Sequence, residues 1–236
     1  MNRVLKVARL QMNKRDVTFL VPAMIVLAVL VVSAIIAFAL QRAGLDPSSP
    51  GYVEGARNNQ GMVWSLPGFL IYFGVQAVAT TFPFAMALGA TRRAYVFGTA
   101  LANLLTSLYV AALMLVLLWV ELATGHWFFG LYALDNYAFG AGDPWVLFVT
   151  AFLGTFVCTS IGGIFGAVWV RFGNKGPTFL GLGLGLLLAS LVLIFVPQAA
   201  AIVGAVTRPL LAGVAVGIAV LCLLGTWFSM RRTAVR

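Results

Sequence analysis

The chain has 236 residues, 62% of them hydrophobic and only 9% charged, with 15 Lys+Arg against 6 Asp+Glu and a formal net charge of +9. So apolar a composition excludes a soluble domain, and about six spans of roughly 20 residues would use nearly the whole length. The basic excess would suggest nucleic acid in a soluble protein, but here the cations sit at the ends of apolar runs, where topology accounts for them and no nucleic-acid partner is expected.

Residues 1–15 place Met1, Val4, Leu5, Ala8 and Met12 on one helical face and Arg3, Lys6, Arg9 and Asn13 on another. That is the pattern of a basic amphipathic helix lying on the membrane surface. The apolar run from Val17 to Leu40 exceeds the h-region of a signal peptide, although Ala37-Phe38-Ala39 imitates a cleavage site; it is expected to be kept, behind Met1, as span 1. The stretch Asp46-Pro47-Ser48-Ser49-Pro50-Gly51 opens a turn-rich loop reaching about Gln60. Span 2 then runs from about Trp64 to Leu88, with Pro67 in its first turn, Gln76 at mid-depth, and Pro83 expected to kink its far half. Span 3, from about Tyr95 to Ala123, is longer than one crossing needs.

The loop Gly125 to Pro144 carries Trp127, Phe128, Phe129, Tyr132, Tyr137 and Phe139. Aromatics at this density suit a segment lying in the membrane interface or, alternatively, a substrate gate. Span 4 covers about Trp145 to Val170, and Arg171 and Lys175 flank a tight turn at Phe172-Gly173-Asn174. Pro177 opens span 5, which ends before Pro197. The stretch Pro197 to Thr207 is too short to cross and is expected to form an outer cap or re-entrant turn before span 6, Arg208 to Met230.

Charge fixes the expected topology. With the amino terminus inside, the cytoplasmic side receives Arg3, Lys6, Arg9, Lys14, Arg15, Arg92, Arg93, Arg171, Lys175, Arg231, Arg232 and Arg236, leaving Arg42, Arg57 and Arg208 outside. The positive-inside rule then places both termini in the cytoplasm. The acidic residues Asp46, Glu54, Glu121, Asp135 and Asp143 fall outside or at that edge, and Glu121 reads as an interfacial carboxylate.

Catalytic chemistry finds little support. The single histidine, His126, has Glu121 five residues before it in no metalloprotease pattern, and Ser107, Thr159 and Ser160 have no base at their depth. No catalytic residue and no metal ligand is assigned. Cys158 and Cys222 lie mid-run and read as small hydrophobes. Gly181-Leu-Gly183-Leu-Gly185 has no Gly-Lys-Ser/Thr ending and is no phosphate loop. The pairs Gly162/Gly166, Gly181/Gly185 and Gly213/Gly217 have the spacing that lets helix backbones approach, or alternatively gives flexibility along a transport path. At depth the polar residues are neutral: Gln76, Thr80, Thr81, Asn103, Thr106 and Ser107. An ion-driven carrier or voltage sensor is therefore disfavoured, and energy for pumping would come from elsewhere.

The stretch Leu88 to Gly98, Leu-Gly-Ala-Thr-Arg-Arg-Ala-Tyr-Val-Phe-Gly, breaks two apolar runs with a basic turn. Gly89 can close the preceding helix in the left-handed conformation and Thr91 can cap the next. Arg92 and Arg93 suit either a cytoplasmic coupling element or mere obedience to the positive-inside rule. Taken with the basic amino-terminal helix and six spans, this stretch resembles the permease subunits of type-2 ABC exporters, over the whole chain.

The resemblance implies an all-α integral membrane protein with a single transmembrane domain, 1–236. Residues 1–15 would be an interfacial connecting helix and 16–236 a six-helix permease, with a short coupling helix between spans 2 and 3. Gly89, Ala90, Thr91, Arg92, Arg93 and Tyr95 would contact a separate ATPase subunit, present in two copies, which binds ATP and Mg; this chain itself would hold no cofactor. A second permease, identical or homologous, would face it in the lipid bilayer. Phe69, Tyr72, Phe73 and Gln76 on span 2, with Phe179, Leu182 and Leu186 on span 5, would line the path, although a core role suits the aromatics equally. The loop lacks the acidic residue that some branches carry beside the arginine. The cargo class implied is amphipathic or hydrophobic, a peptide antibiotic, drug or lipid-like molecule, exported across the cell membrane of a bacterium. A channel or carrier independent of ATP is the alternative, and an integral membrane enzyme a more distant one.

Overall fold

The computed structural model describes residues 3–231, so the places given above to Met1, Arg232 and Arg236 lie outside the described residues. The protein is all-helical, 85% helix with no strand among the described residues. In order the helices are α1 (Arg3–Met12), α2 (Val21–Arg42), α3 (Pro50–Arg57), α4 (Gly61–Ser65), α5 (Pro67–Ala79), α6 (Thr81–Ala87), α7 (Arg92–Ala123), α8 (Pro144–Phe172), α9 (Lys175–Phe195), α10 (Ala199–Ala205) and α11 (Arg208–Arg231). Among the described residues six segments are long and apolar enough to cross a membrane: Asp16–Arg42, Pro50–Ala87, Arg92–Ala123, Pro144–Phe172, Lys175–Ile202 and Arg208–Arg231. The chain is a multi-pass membrane protein.

Prolines punctuate the second segment. Pro67 starts α5 because it lacks an N–H and its fixed φ suits a first helical turn. Pro83 offers no donor to the carbonyl of Ala79, and the helix is interrupted at Thr80, between α5 and α6. The stretch before it differs from the expected loop. Ser49 Oγ accepts a hydrogen bond from the Tyr52 N–H (3.4 Å), Pro50 occupies the first turn, and residues Pro50–Arg57 form a helix.

The chain divides into two compact units. One holds the residues up to Gln11, Ile71–Ala102 and those from Val157 onward. Its core is Val7, Val78, Phe82, Ala85, Tyr95, Val96, Ala167 and Met230. Here α5 crosses α8 at backbone contact: a Cβ on Gly74 would collide with the Thr159 carbonyl, and one on Gly162 with the carbonyl of Ile71. Gly166 packs on Val75 and Val78 in the same crossing, so this small-residue pair packs as its spacing predicts. By contrast Gly185, Gly213 and Gly217 have nothing within 4 Å, and the apolar faces of α9 and most of α11 are not buried within this chain.

The other unit comprises Met12–Leu70 and Asn103–Phe156. Val26, Met62, Leu70, Val110, Leu118, Leu134 and Leu147 are buried in it. Tyr109 fixes the entry to α2, its hydroxyl donating to the Phe19 carbonyl (2.8 Å) while the two rings meet edge to face at 4.9 Å. Trp145, Phe148, Phe152 and Phe156 stack in succession along one face of α8.

Candidate functional site

The turn between α6 and α7 is built by backbone chemistry. Gly89 adopts a left-handed φ of +76°, its N–H donates to the Met86 carbonyl (3.0 Å), and the N–H of Ala90 donates to the Ala85 carbonyl (3.0 Å). These two bonds form a Schellman closure, which a Cβ at position 89 would strain. Thr91 Oγ1 then accepts from the Ala94 N–H (3.2 Å) and caps α7. Both roles were legible in the sequence.

The two arginines have different jobs. Arg92 Nη1 donates to the carbonyls of Met230 (3.0 Å) and Arg231 (2.6 Å), closing the last turn of α11 with a cation at the negative end of its dipole. Arg93 is exposed, and its guanidinium lies 5.8 Å from the Phe97 ring centroid.

Tyr95 is fully buried, and its hydroxyl anchors the turn. It donates to the Ala77 carbonyl (2.7 Å), beside the interruption that Pro83 creates, and lies 2.6 Å from Thr81 Oγ1. Gln11 Nε2 donates to Thr99 Oγ1 (2.7 Å) and to Tyr95 Oη (3.3 Å). One side-chain network thus ties α1, α5, α6 and α7 together.

Helix α1 seats on α7 at Gly98, where an added Cβ would meet Val7 Cβ at 2.6 Å and the Val4 carbonyl oxygen at 2.9 Å. Its buried residues are Val7, Ala8 and Gln11, whereas Leu5 is exposed, so the inward face is turned from the one expected. The polar Gln11 hides this from a hydrophobic pattern. Arg3, Lys6 and Arg9 face outward, and a groove of about 370 Å³ runs between α1 and the turn, lined by Arg3, Lys6, Leu88, Gly89 and Ala90 among others.

The span residues proposed for a path are less gathered. Tyr72 is exposed and accepts a hydrogen bond from Gln76 Nε2 (3.1 Å); Phe69 and Phe73 are half-buried. Phe179, Leu182 and Leu186 are 71%, 60% and 70% exposed, so this chain alone encloses none of the three.

A second constellation, in the other unit, was missed by sequence reading. Glu121 is fully buried within the protein. Its Oε1 accepts from the N–H groups of Ala133 and Asp135 (both 3.1 Å), and its Oε2 from the N–H of Leu134 (2.9 Å) and Trp127 Nε1 (3.4 Å). Asp135 Oδ2 in turn lies 2.8 Å from Arg57 Nη2 and 3.0 Å from His126 Nε2. The His126 ring stacks on Tyr132 with centroids 4.0 Å apart, and burial pushes the Tyr132 hydroxyl up while the Arg57 charge works against that shift.

The reason for this folding is a run of left-handed residues, His126, Trp127 and Phe128, with φ of +63°, +59° and +66°. Such a run of non-glycine residues costs energy that fixed neighbours must offset. Gln41 Nε2 holds it by donating to the Phe129 carbonyl (2.7 Å), and Phe38 stacks on Phe129 at 4.4 Å. The loop is folded on itself, with Leu131, Leu134 and Phe139 buried, while Phe128 and Tyr137 among its aromatics are exposed.

No protein-family model, no curated protein and no solved structure matches this chain. Chemically, the Glu121 carboxylate is saturated by four donors and has no lone acceptor aimed at a substrate. No group of three or more His, Cys, Asp or Glu side chains converges on a metal position among the described residues. In the stretch Leu88–Gly98 the exposed residues are Leu88, Gly89, Thr91, Arg93 and Phe97, while Ala94, Tyr95, Val96 and Gly98 are buried beneath them.

Proposed function

We propose that the chain is the membrane-spanning permease subunit of an ABC exporter, with ATP and Mg bound and hydrolysed on a separate ATPase subunit present in two copies. The observation that carries this reading is the joint between α1 and the α6–α7 turn. Val7 packs at Gly98, Gln11 bonds to Thr99, and the basic residues of α1 point outward beside Leu88, Gly89 and Ala90. A partner inserted there would grip the helix and the turn together and, through Arg92, the end of α11. A surface that only satisfied the positive-inside rule would not require such bracing.

In this reading both termini are cytoplasmic, α1 is the interfacial connecting helix, and the turn is the coupling element. ATP-driven closure of the ATPase pair pushes on it and shifts two facing permeases between inward-open and outward-open states. The second permease is identical or homologous, and the weakly polar interior suits an amphipathic or hydrophobic cargo exported across a bacterial cell membrane.

The test is purification of the full chain from its native membrane in mild detergent, with Ala90→Cys introduced for cross-linking. An ATP-hydrolysing protein should co-purify and cross-link at position 90. A chain that emerges alone and inert toward ATP sinks the proposal and favours a channel or carrier.

A further inference from the structure

We infer that the groove between the adjoining ends of α7 and α11 binds an anionic membrane phospholipid, its phosphate held by Arg93 and an acyl chain lying along the apolar floor. The groove has a volume of about 400 Å³ and is lined by Val96, Phe97, Ala100, Val220, Leu223, Leu224 and Trp227, with Arg93 the one charged lining residue. Six of these eight side chains are aliphatic or phenyl and offer nothing to a polar ligand, and the Trp227 indole brings a single N–H donor. The eighth is a cation at one end.

Placement selects the occupant. Arg93 is the second residue of its candidate span and Trp227 stands in the last turns of α11, so both mark the span ends where headgroups lie. From Arg93 to Ala100, and from Trp227 back to Val220, each helix rises about 10 Å, so the apolar part reaches into the acyl region. Leu221 and Phe228, seven positions apart and so on one flank of the groove, are exposed, whereas Ala219 and Thr226 on the other flank are buried, so the groove opens on one side along an apolar face that suits acyl chains.

Charge complementarity decides the headgroup. Among the described residues no carboxylate lies within ion-pair distance of Arg93, and its guanidinium rests on the Phe97 face, which fixes its direction while leaving its N–H groups for an acceptor. A phosphate oxygen supplies both the counter-charge and the acceptor geometry that a guanidinium fork prefers. A zwitterionic lipid would bring its own cation into the same place. This site stands whether or not an ATPase partner exists.

Native mass spectrometry of the full chain, titrated with phosphatidylglycerol or with phosphatidylcholine of the same acyl chains, tests it. Phosphatidylglycerol should be retained about five-fold better, the effect of one basic side chain near a lipid phosphate. Arg93→Gln should bring the two lipids to parity, Arg93→Lys should keep most of the preference, and Lys175→Gln should leave it unchanged. Ala100→Trp, which fills the floor, should weaken both lipids. Equal retention by the unaltered chain, or a preference surviving Arg93→Gln, overturns the inference. So does an Ala100→Trp variant that splits a dimer without changing lipid retention, because the groove would then hold a second copy of the chain. Where Arg93→Gln fails to fold, the Ala100→Trp comparison still decides.

Discussion

Replacing Glu121 with glutamine keeps its shape and removes an acceptor. The carboxylate oxygens receive three backbone N–H groups, from Ala133, Leu134 and Asp135, and the indole N–H of Trp127. Glutamine keeps one oxygen, which can serve the Ala133 and Asp135 donors; its NH2 group then faces the Leu134 and Trp127 N–H groups, donor against donor. Two buried donors left unpaired cost about 1–3 kcal/mol each, so a loss of about 2–6 kcal/mol is expected. The damage should be local first, because these bonds hold the Ala133–Asp135 backbone and the Trp127 indole of one loop. Thermal unfolding in detergent, with limited proteolysis after Trp127 or Phe128, reads both effects. A Glu121→Gln variant that melts with the unaltered chain and resists proteolysis equally would refute the reasoning, whereas Glu121→Ala alone would not discriminate a lost acceptor from a cavity.

Arg92→Ala should fray the last turn of α11 and cost about 1 kcal/mol, the worth of a cation at a helix carboxyl end, with Arg92→Lys recovering part; hydrogen exchange at residues 228–231 measures it. Gly162→Leu should prevent the α5–α8 crossing and abolish a folded, monodisperse product on gel filtration, while Gly185→Leu should leave the fold of the single chain unchanged. Gly98→Val should displace α1, so that a cysteine at position 7 becomes reactive to a maleimide in the variant and stays protected in the native background. Tyr95→Phe should remove one of the donors to the Ala77 carbonyl, leaving those of Thr81 and Gln11, and lower the melting temperature with little change in helix content by circular dichroism.

Legibility followed the range of the interactions. The apolar spans declare themselves by length, and Gly89 and Thr91 act through bonds to residues within five positions, so a sequence window contains everything that decides them. Pro83 likewise acts on the turn before it. Glu121 is different: its partners lie 6 to 14 positions away, in a loop whose fold depends on Gln41 and Arg57 far upstream. Nothing in a periodic pattern signals a carboxylate that gathers backbone N–H groups. Arg92 shows the same limit, since its role as a cap for α11 joins residues 138 and 139 positions apart. Helix α3 could have been read from Ser49-Pro50, a cap followed by a proline in the first turn, had the turn-rich composition around it not dominated.

The bare faces of α9 and α11 bear on how any path through this protein could be built. A span in water would hide such faces against its own chain, but in a bilayer lipid covers them at no hydrophobic cost, so their exposure does not by itself demand a partner. The path residues sharpen the matter. Phe179, Leu182 and Leu186 stand on a helix of which the most apolar window is entirely unburied, and Tyr72 and Gln76 satisfy one another on an exposed face of α5. If these residues line a route for cargo, its second wall has to come from another chain, because this one supplies no enclosure around them. The exporter reading requires that second wall and the carrier reading does not. Cysteine pairs at position 182 or 186 therefore separate the two: under the exporter reading they cross-link between two permeases in the membrane, and under the carrier reading they remain free thiols facing lipid.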